Sequence, residues 1–453
     1  MARISFDFQN IIGKIKPMHA VGQPPFVGMD YHYIEYLKQA YIPYSRLHDV
    51  DGPYGGFVYV DIPNLFRDFD ADETLPESYD FAFTDHLITA LMENECEPIF
   101  RLGVTIENYR TVKAYRIYPP KDPAKWARIC EHVVRHYTEG WADGFHYPIR
   151  YWEIWNEPES FNPDRNPMWS GTHEQFFELY TVASKHLKAC FGDKIKMGGY
   201  GATGFWGIFS DYEKYGISTH LEQDEEFLER ARSAHAQNLL NFFFNFLAYI
   251  REHDAPLDFF SWHSYLNIEN TKAMSAFVHR TLREYGYGHA ETQINEWNNG
   301  RKDLRGTSVP CAKAAAFMCA MQNSEEQILC YYDARIGSSI YGGMFNPITY
   351  EPFCTYYAFY AFGQLYHLGG QVACEGEEGD IHALAATNGK ERAAMIVNAS
   401  DEDQTIFTNL SDSMKVYAID ETHHLTPVDC LPSSFVANAK CVYLIKDKAE
   451  AEE

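Results

Sequence analysis

Along most of the chain, short apolar runs alternate with longer stretches in which apolar residues recur at helical spacing, the pattern of repeated strand and helix units. The runs predict strands at Phe26–Met29, Tyr44–Leu47, Glu97–Leu102, Ile149–Ile154, Lys196–Gly199, Phe259–Trp262, Gln293–Asn295 and Ile328–Tyr332. The amphipathic stretches predict helices at Thr84–Asn94, Pro123–Tyr137, His173–Cys190, Asp224–His253, Ala273–Tyr285 and Pro310–Asn323. Thr84-Asp85 heads the first of these, and Thr172 precedes the third with Gln175 at the capping-box position. Eight strands with interleaved helices predict an α/β protein built on a closed (β/α)8 TIM barrel. A doubly wound sheet would more often open on a glycine-rich phosphate turn, and neither a GxGxxG nor a P-loop pattern follows the first predicted strand.

Past about Tyr366 the helical period disappears. Ala393–Val397, Lys415–Ile419 and Cys441–Ile445 are short apolar strands, and Asn388-Gly389 and Asn398-Ala399-Ser400-Asp401 supply turns. This predicts a C-terminal accessory β-sandwich over residues 366–446 after the barrel over 13–365. The strand-like residues 1–12 are expected to add an edge to that sandwich, and 447–453 to form a solubilising tail.

Composition narrows the partners. The chain has 63 acids against 38 bases, a net charge of −25 that repels phosphate backbones and anionic lipid surfaces, so neither nucleic acid nor a membrane is expected. The longest apolar stretch, Leu239–Ile250, is interrupted by Asn241 and Asn245 and is too short to span a bilayer. Met1–Asp7 holds no apolar core of a secretory signal, so a cytoplasmic protein is expected. The ten cysteines form no CxxC pair and most sit in apolar surroundings, which predicts reduced core thiols and no metal or organic cofactor. A homo-oligomer is compatible with these features. Aromatic residues reach 16%, more than a core alone usually needs, so aromatic faces that stack on sugars or other flat, weakly polar ligands become worth seeking.

Two segments carry the chemistry. Tyr151-Trp152-Glu153-Ile154-Trp155-Asn156-Glu157-Pro158 reads as a strand that stops where Glu157 projects, because proline biases the residue before it away from helix. Ile294-Asn295-Glu296-Trp297-Asn298 is a second short strand ending in a carboxylate beside an indole, 139 residues further on. In a barrel the carboxyl ends of the strands face the active site, so the two glutamates can oppose each other across a pocket. About 5–5.5 Å between them gives a nucleophile and an acid/base that retain anomeric configuration, and about 6.5–9.5 Å leaves room for an inverting water. A lone glutamate at a strand end is otherwise a surface or salt-bridged residue.

The segment Trp152–Pro158 closely resembles the fourth-strand motif of glycoside hydrolase family 39, the β-xylosidases and α-L-iduronidases, within a clan of retaining (β/α)8 glycosidases. Ser45-Arg46-Leu47-His48 resembles the family's second strand, Phe260–Tyr265 its sixth and Asn295–Asn298 its seventh, in the right order, and the likeness runs over about residues 20–360. The resemblance implies that Glu157 is the acid/base and Glu296 the nucleophile. It implies that Asn156 reaches the sugar 2-hydroxyl, that Arg46 lies under the nucleophile, and that His48, His263 and Tyr265 line the sugar site. Where the family often has an aromatic-Trp pair at its eighth strand, this chain has Tyr331-Tyr332-Asp333, so Tyr332 or Trp297 is expected as the platform, with Trp206 a further candidate. Residues 204–256 are longer than the family's connection, and Arg335 is expected to balance Asp333 or a neighbouring acid. The implied activity is a retaining, β-xylosidase-like exo-hydrolysis of short oligosaccharides or small glycosides. Arabinosides, hexosides and uronides, or sugar binding without catalysis, stand as alternatives.

Overall fold

A computed structural model describes residues 1–50, 60–105, 117–160, 166–218, 221, 223–337 and 339–447. All of the expected tail after Asp447 lies outside the described residues. After β1 (Ala2–Lys14), eight strands close a parallel barrel in chain order: β2 (Ala20–Gly22), β3 (Tyr44–Leu47), β4 (Glu97–Leu102), β5 (Tyr151–Ile154), β6 (Lys196–Ala202), β7 (Phe259–Ser264), β8 (Glu291–Trp297) and β9 (Ile328–Tyr331). The register sets Glu153 beside Arg101 on one side and Gly198 on the other. By packing, the chain groups into two units: Met1–Tyr44, Asn94–Cys96 and Trp297–Glu453 form one, and Ser45–Glu93 with Glu97–Glu296 the other.

The expected strand at Phe26–Met29 is not formed. Gln23 (φ 57°) and Gly28 (φ 62°) turn the backbone left-handed around Pro24-Pro25, and Val27 and Asp30 bond to each other across a turn. The barrel's first strand is the buried Ala20-Val21-Gly22, whose small residues give little apolar signal. The predicted helix over 224–253 is two helices, Glu225–Arg232 and Ala234–Glu252. Ser233 separates them in an extended conformation and caps the second, accepting the Ala236 amide at 3.2 Å. The capping box at Thr172 and Gln175 is present, with bonds of 2.9 and 3.2 Å. Cys354–Leu368 is a helix that the pattern missed; nine of its fifteen residues are buried, too many for an amphipathic stripe to show.

The C-terminal strands are β10 (Gly370–Glu375), β11 (Ile381–Thr387), β12 (Arg392–Asn398), β13 (Gln404–Thr408), β14 (Lys415–Ile419), β15 (His424–Val428), β16 (Ser434–Ala437) and β17 (Cys441–Lys446). They join β1 in a nine-stranded sheet of order β15-β14-β17-β12-β11-β10-β1-β13-β16. β1 is therefore an inner strand rather than an edge: its register shifts after Asp7, and it pairs antiparallel with β10 and parallel with β13. One face of the sheet buries Ile4, Phe6, Ile396, Ile406, Phe435 and Tyr443 in a common core. Helices Ser308–Met321 and Cys354–Leu368 pack on β11 and β12, so those strands are buried on both faces and read as continuous apolar runs. Among the described residues no helix is long and apolar enough to cross a membrane.

Candidate active site

The site begins with a buried charge. All four residues of β5 are buried, Glu153 among them, and a carboxylate there needs partners. Arg46 on β3 donates through Nε to Glu153 Oε2 at 2.7 Å, through Nη1 to Glu296 Oε1 at 2.7 Å and through Nη2 to Asn156 Oδ1 at 2.6 Å. Ser261 on β7 and Asn295 on β8 donate to Glu153 Oε1 at 2.6 and 2.5 Å. One planar guanidinium thus fixes three side chains at the ends of β5 and β8, a task its fork of donors suits. Burial works against the charge of Arg46, but Glu153 and Glu296 outweigh it and hold the group above its ordinary range.

Beyond Ile154 the chain turns sharply, with Trp155 at φ 72° and Glu157 at φ 43°. The Glu157 amide donates to the carbonyls of Tyr200 and Gly201 on β6, at 3.2 and 3.1 Å. This left-handed turn, uncommon for residues other than glycine, presents the Glu157 carboxyl to the strand ends. Glu157 Oε1 shares a hydrogen bond of 2.7 Å with His263 Nδ1, which stands 3.6 Å from Glu296 Oε2. Tyr265 donates its hydroxyl to that same Glu296 oxygen at 2.8 Å. One oxygen of each carboxylate and a ring nitrogen of His263 all lie within 4.8 Å of one another.

The surroundings set the charges. Burial pushes Glu157 up to about 7, against the Arg46 charge and a Ser160 hydrogen bond. Burial also raises Glu296, opposed by His263 and by Arg46 and reinforced by Glu157 and Asp49. The two carboxyls compete for ionisation, and Glu296, with a guanidinium at 2.7 Å and a hydroxyl donor, wins it. His263 is pushed down to about 4, chiefly by burial, so its ring is neutral near pH 7. A neutral imidazole and an ionised neighbour leave Glu157 as the group that holds a proton.

Glu157, Glu296, Asn156, Arg46, His263 and Tyr265 therefore converge, and His48 joins them with Nε2 at 3.2 Å from Asp49 and 4.0 Å from Glu296 Oε1. Trp297 does not present a platform. It is fully buried, stacked on Phe317 with ring centroids 4.4 Å apart and parallel to Phe359, because strand alternation turns it to the opposite face from Glu296. Tyr332 is half-buried and meets Tyr341 edge-on. Trp206 is buried beneath the Arg230 guanidinium, 4.9 Å from its ring. Arg335 pairs with Asp333 at 3.0 Å. Glu153, Ser261 and Asn295 were not foreseen as part of the site; the available signal was an acid in the middle of an apolar strand.

The model for glycosyl hydrolases family 39 matches residues 32–292, more than half of the chain. The chain belongs to that family. Stretches of 130 and 150 residues are 29% and 25% identical to the β-xylosidases of Caldicellulosiruptor saccharolyticus and Geobacillus stearothermophilus. They cover 27% and 30% of this chain and span only 25% and 28% of those proteins. A glucosidase structure from Croceicoccus marinus has a TM-score of 0.75 at 21% identity over 99% of both chains. A family 39 β-xylosidase structure from Caulobacter crescentus has a TM-score of 0.68 at 15% identity, over 99% of this chain and 100% of that one. At these identities the two structures speak for the fold.

Proposed function

We propose that this family 39 enzyme is a retaining glycosidase that works by double displacement, with β-xylosidase-like exo-action on short oligosaccharides or small glycosides. The observation that carries the mechanism is the approach of the two carboxylates, with an oxygen of each inside the 4.8 Å cluster. So close an approach of two oxygens suits direct attack, for which carboxyl groups stand about 5–5.5 Å apart, rather than the roughly 6.5–9.5 Å at which a water fits between them. Glu296 attacks the anomeric carbon while Glu157 gives its proton to the departing oxygen. The glycosyl-enzyme ester removes the charge on Glu296, so Glu157 ionises more readily and takes a proton from the water that completes hydrolysis. Arg46 occupies the amide oxygen of Asn156, which leaves the Asn156 amide nitrogen to donate to the sugar 2-hydroxyl. His48, His263 and Tyr265 form polar walls around the same ring, and Tyr332 is the remaining candidate for a stacking face.

The preference for a xyloside rests on the two curated relatives, and the Croceicoccus marinus glucosidase structure favours a hexoside as the second reading. A panel of aryl β-xyloside, β-glucoside, α-arabinoside and α-iduronide separates them, with the first product anomer followed by proton NMR. The expected result is fastest cleavage of the xyloside, releasing the anomer of the substrate's own configuration. Release of the opposite anomer would overturn double displacement, and a folded protein that cleaves none of the panel would favour sugar binding without catalysis.

A further inference from the structure

Two residues past Glu157, a third carboxyl is enclosed in the same turn. Glu159 is 1% exposed, its Oε1 accepts the Thr203 amide at 2.7 Å where β6 ends, and its backbone carbonyl accepts Asn238 Nδ2 at 3.3 Å. Oε2 is buried without a hydrogen-bond partner, and among the described residues no cation pairs with Glu159. The titratable groups that face it are Glu157, on its own turn, and Tyr200 on β6. A buried carboxylate with few donors and, among the described residues, no counter-charge is costly, whereas a carboxylic acid in the same place costs far less. We propose that Glu159 is a positioning residue that works as a neutral carboxylic acid, clamping the turn that carries Glu157 onto the end of β6. Its ionisation strands a charge inside that turn, beside Glu157, and disarms the acid/base. Burial pushes its carboxyl up to about 8, the Thr203 amide opposing and the Glu157 charge adding, which places this loss on the alkaline side of neutrality. The inference rests on the reading of Glu157 as acid/base.

The test uses the full chain with Glu159→Gln, which keeps the shape and cannot ionise, and Glu159→Ala, which removes the clamp. Hydrolysis of the best aryl glycoside is followed from about pH 5 to about pH 9, with thermal melting as a control for folding. Wild-type kcat/KM should fall above about pH 8 with the loss of two protons, and Glu159→Gln should fall with the loss of one. Glu159→Ala should lose about 10- to 100-fold in kcat at little change in KM, and Glu159→Gln should restore most of it. An alanine variant with wild-type kcat, or a glutamine variant that keeps the two-proton fall, overturns the proposal and leaves the glycosidase reading standing. If the wild type cleaves no glycoside, the reading of Glu157 fails, and carbon-13 NMR of the glutamate carboxyls decides the charge state of Glu159. A resonance lost in Glu159→Gln that sits at the protonated position at pH 7 supports the neutral acid, and one at the ionised position overturns it.

Discussion

The two sides of the pocket hold the same side chain in opposite circumstances. Glu296 is met by a guanidinium and a phenol hydroxyl, both donors, at 2.7 and 2.8 Å. Glu157 is met by an imidazole that burial keeps neutral, on a left-handed turn where its amide is held by two carbonyls. Glu296 is buried and the Glu157 side chain keeps 15% of its surface exposed, a difference too small to set their roles. What separates the roles is where the nearest cation sits. Arg46 faces Glu296 and Glu153 directly and reaches Glu157 only through space.

The strongest way to break that contrast is to remove Glu296, the proposed nucleophile. Glu296→Ala should lower kcat/KM on aryl glycosides by about 10⁴-fold or more, by analogy with other lost nucleophiles, and azide should not restore it with retained configuration. Arg46→Met comes next and acts on stability. It leaves the buried carboxylate of Glu153 without its counter-charge, so unfolding by urea should show a loss of about 3–5 kcal/mol. A variant as stable as the wild type would mean that the pairing of Arg46 with Glu153 adds nothing to the fold.

Glu157 should behave the other way round, and pH exposes it. The proposed mechanism needs its proton in the first step, so kcat/KM should fall as pH rises through about 7. Glu157→Ala should still form the glycosyl-enzyme from a substrate with a good leaving group and be rescued by azide, having lost that alkaline fall. Because burial lifts this carboxyl from 4.5 to about 7, the folded state binds its proton more tightly than the unfolded state does. The stability that this contributes is complete below about pH 4.5 and is lost as pH rises through about 7. Glu157→Gln should therefore match the wild type at pH 4 and be more stable by about 3 kcal/mol at pH 8. Equal stability of the wild type and Glu157→Gln at both pH values would place the Glu157 carboxyl in solvent.

Much of the site was legible in the sequence, for a physical reason. A strand run that ends in Asn156-Glu157-Pro158 announces its own terminus, and Glu296 sits at the end of a second run, so the strand ends and what projects from them follow from period and proline. The partners that give those glutamates different charges were less legible, because they come together only through the closure of the barrel. Glu153, Ser261 and Asn295 stand on three different strands, and no local spacing joins them. Trp297 was misplaced for a different reason: adjacency in sequence to Glu296 suggested a shared pocket, whereas strand alternation sends neighbours to opposite faces. Ala20–Gly22 and Cys354–Leu368 escaped the pattern because one is small-residued and the other largely buried, leaving no contrast of apolar and polar positions to read.

The smallest expected effect lies at Gly201, which touches both sides. Its φ of +60° is strained for any other residue, and a Cβ there would stand 2.8 Å from Arg46 Nη2 and from Asn156 Oδ1, and 3.3 Å from His263 Nε2. All three neighbours are buried, so the clash must be relieved by moving a side chain that the site uses. Gly201→Ala should cost about 1–2 kcal/mol in stability from the backbone alone, and kcat/KM should fall about tenfold. Which side yields is the informative part. The closer contacts are on the Arg46 and Asn156 side, so the rate of glycosyl-enzyme formation should drop while the alkaline fall near pH 7 stays where it is. If instead the fall moves and glycosylation keeps its rate, the strain has passed through His263 to Glu157, and the two sides are coupled more tightly than one shared guanidinium implies.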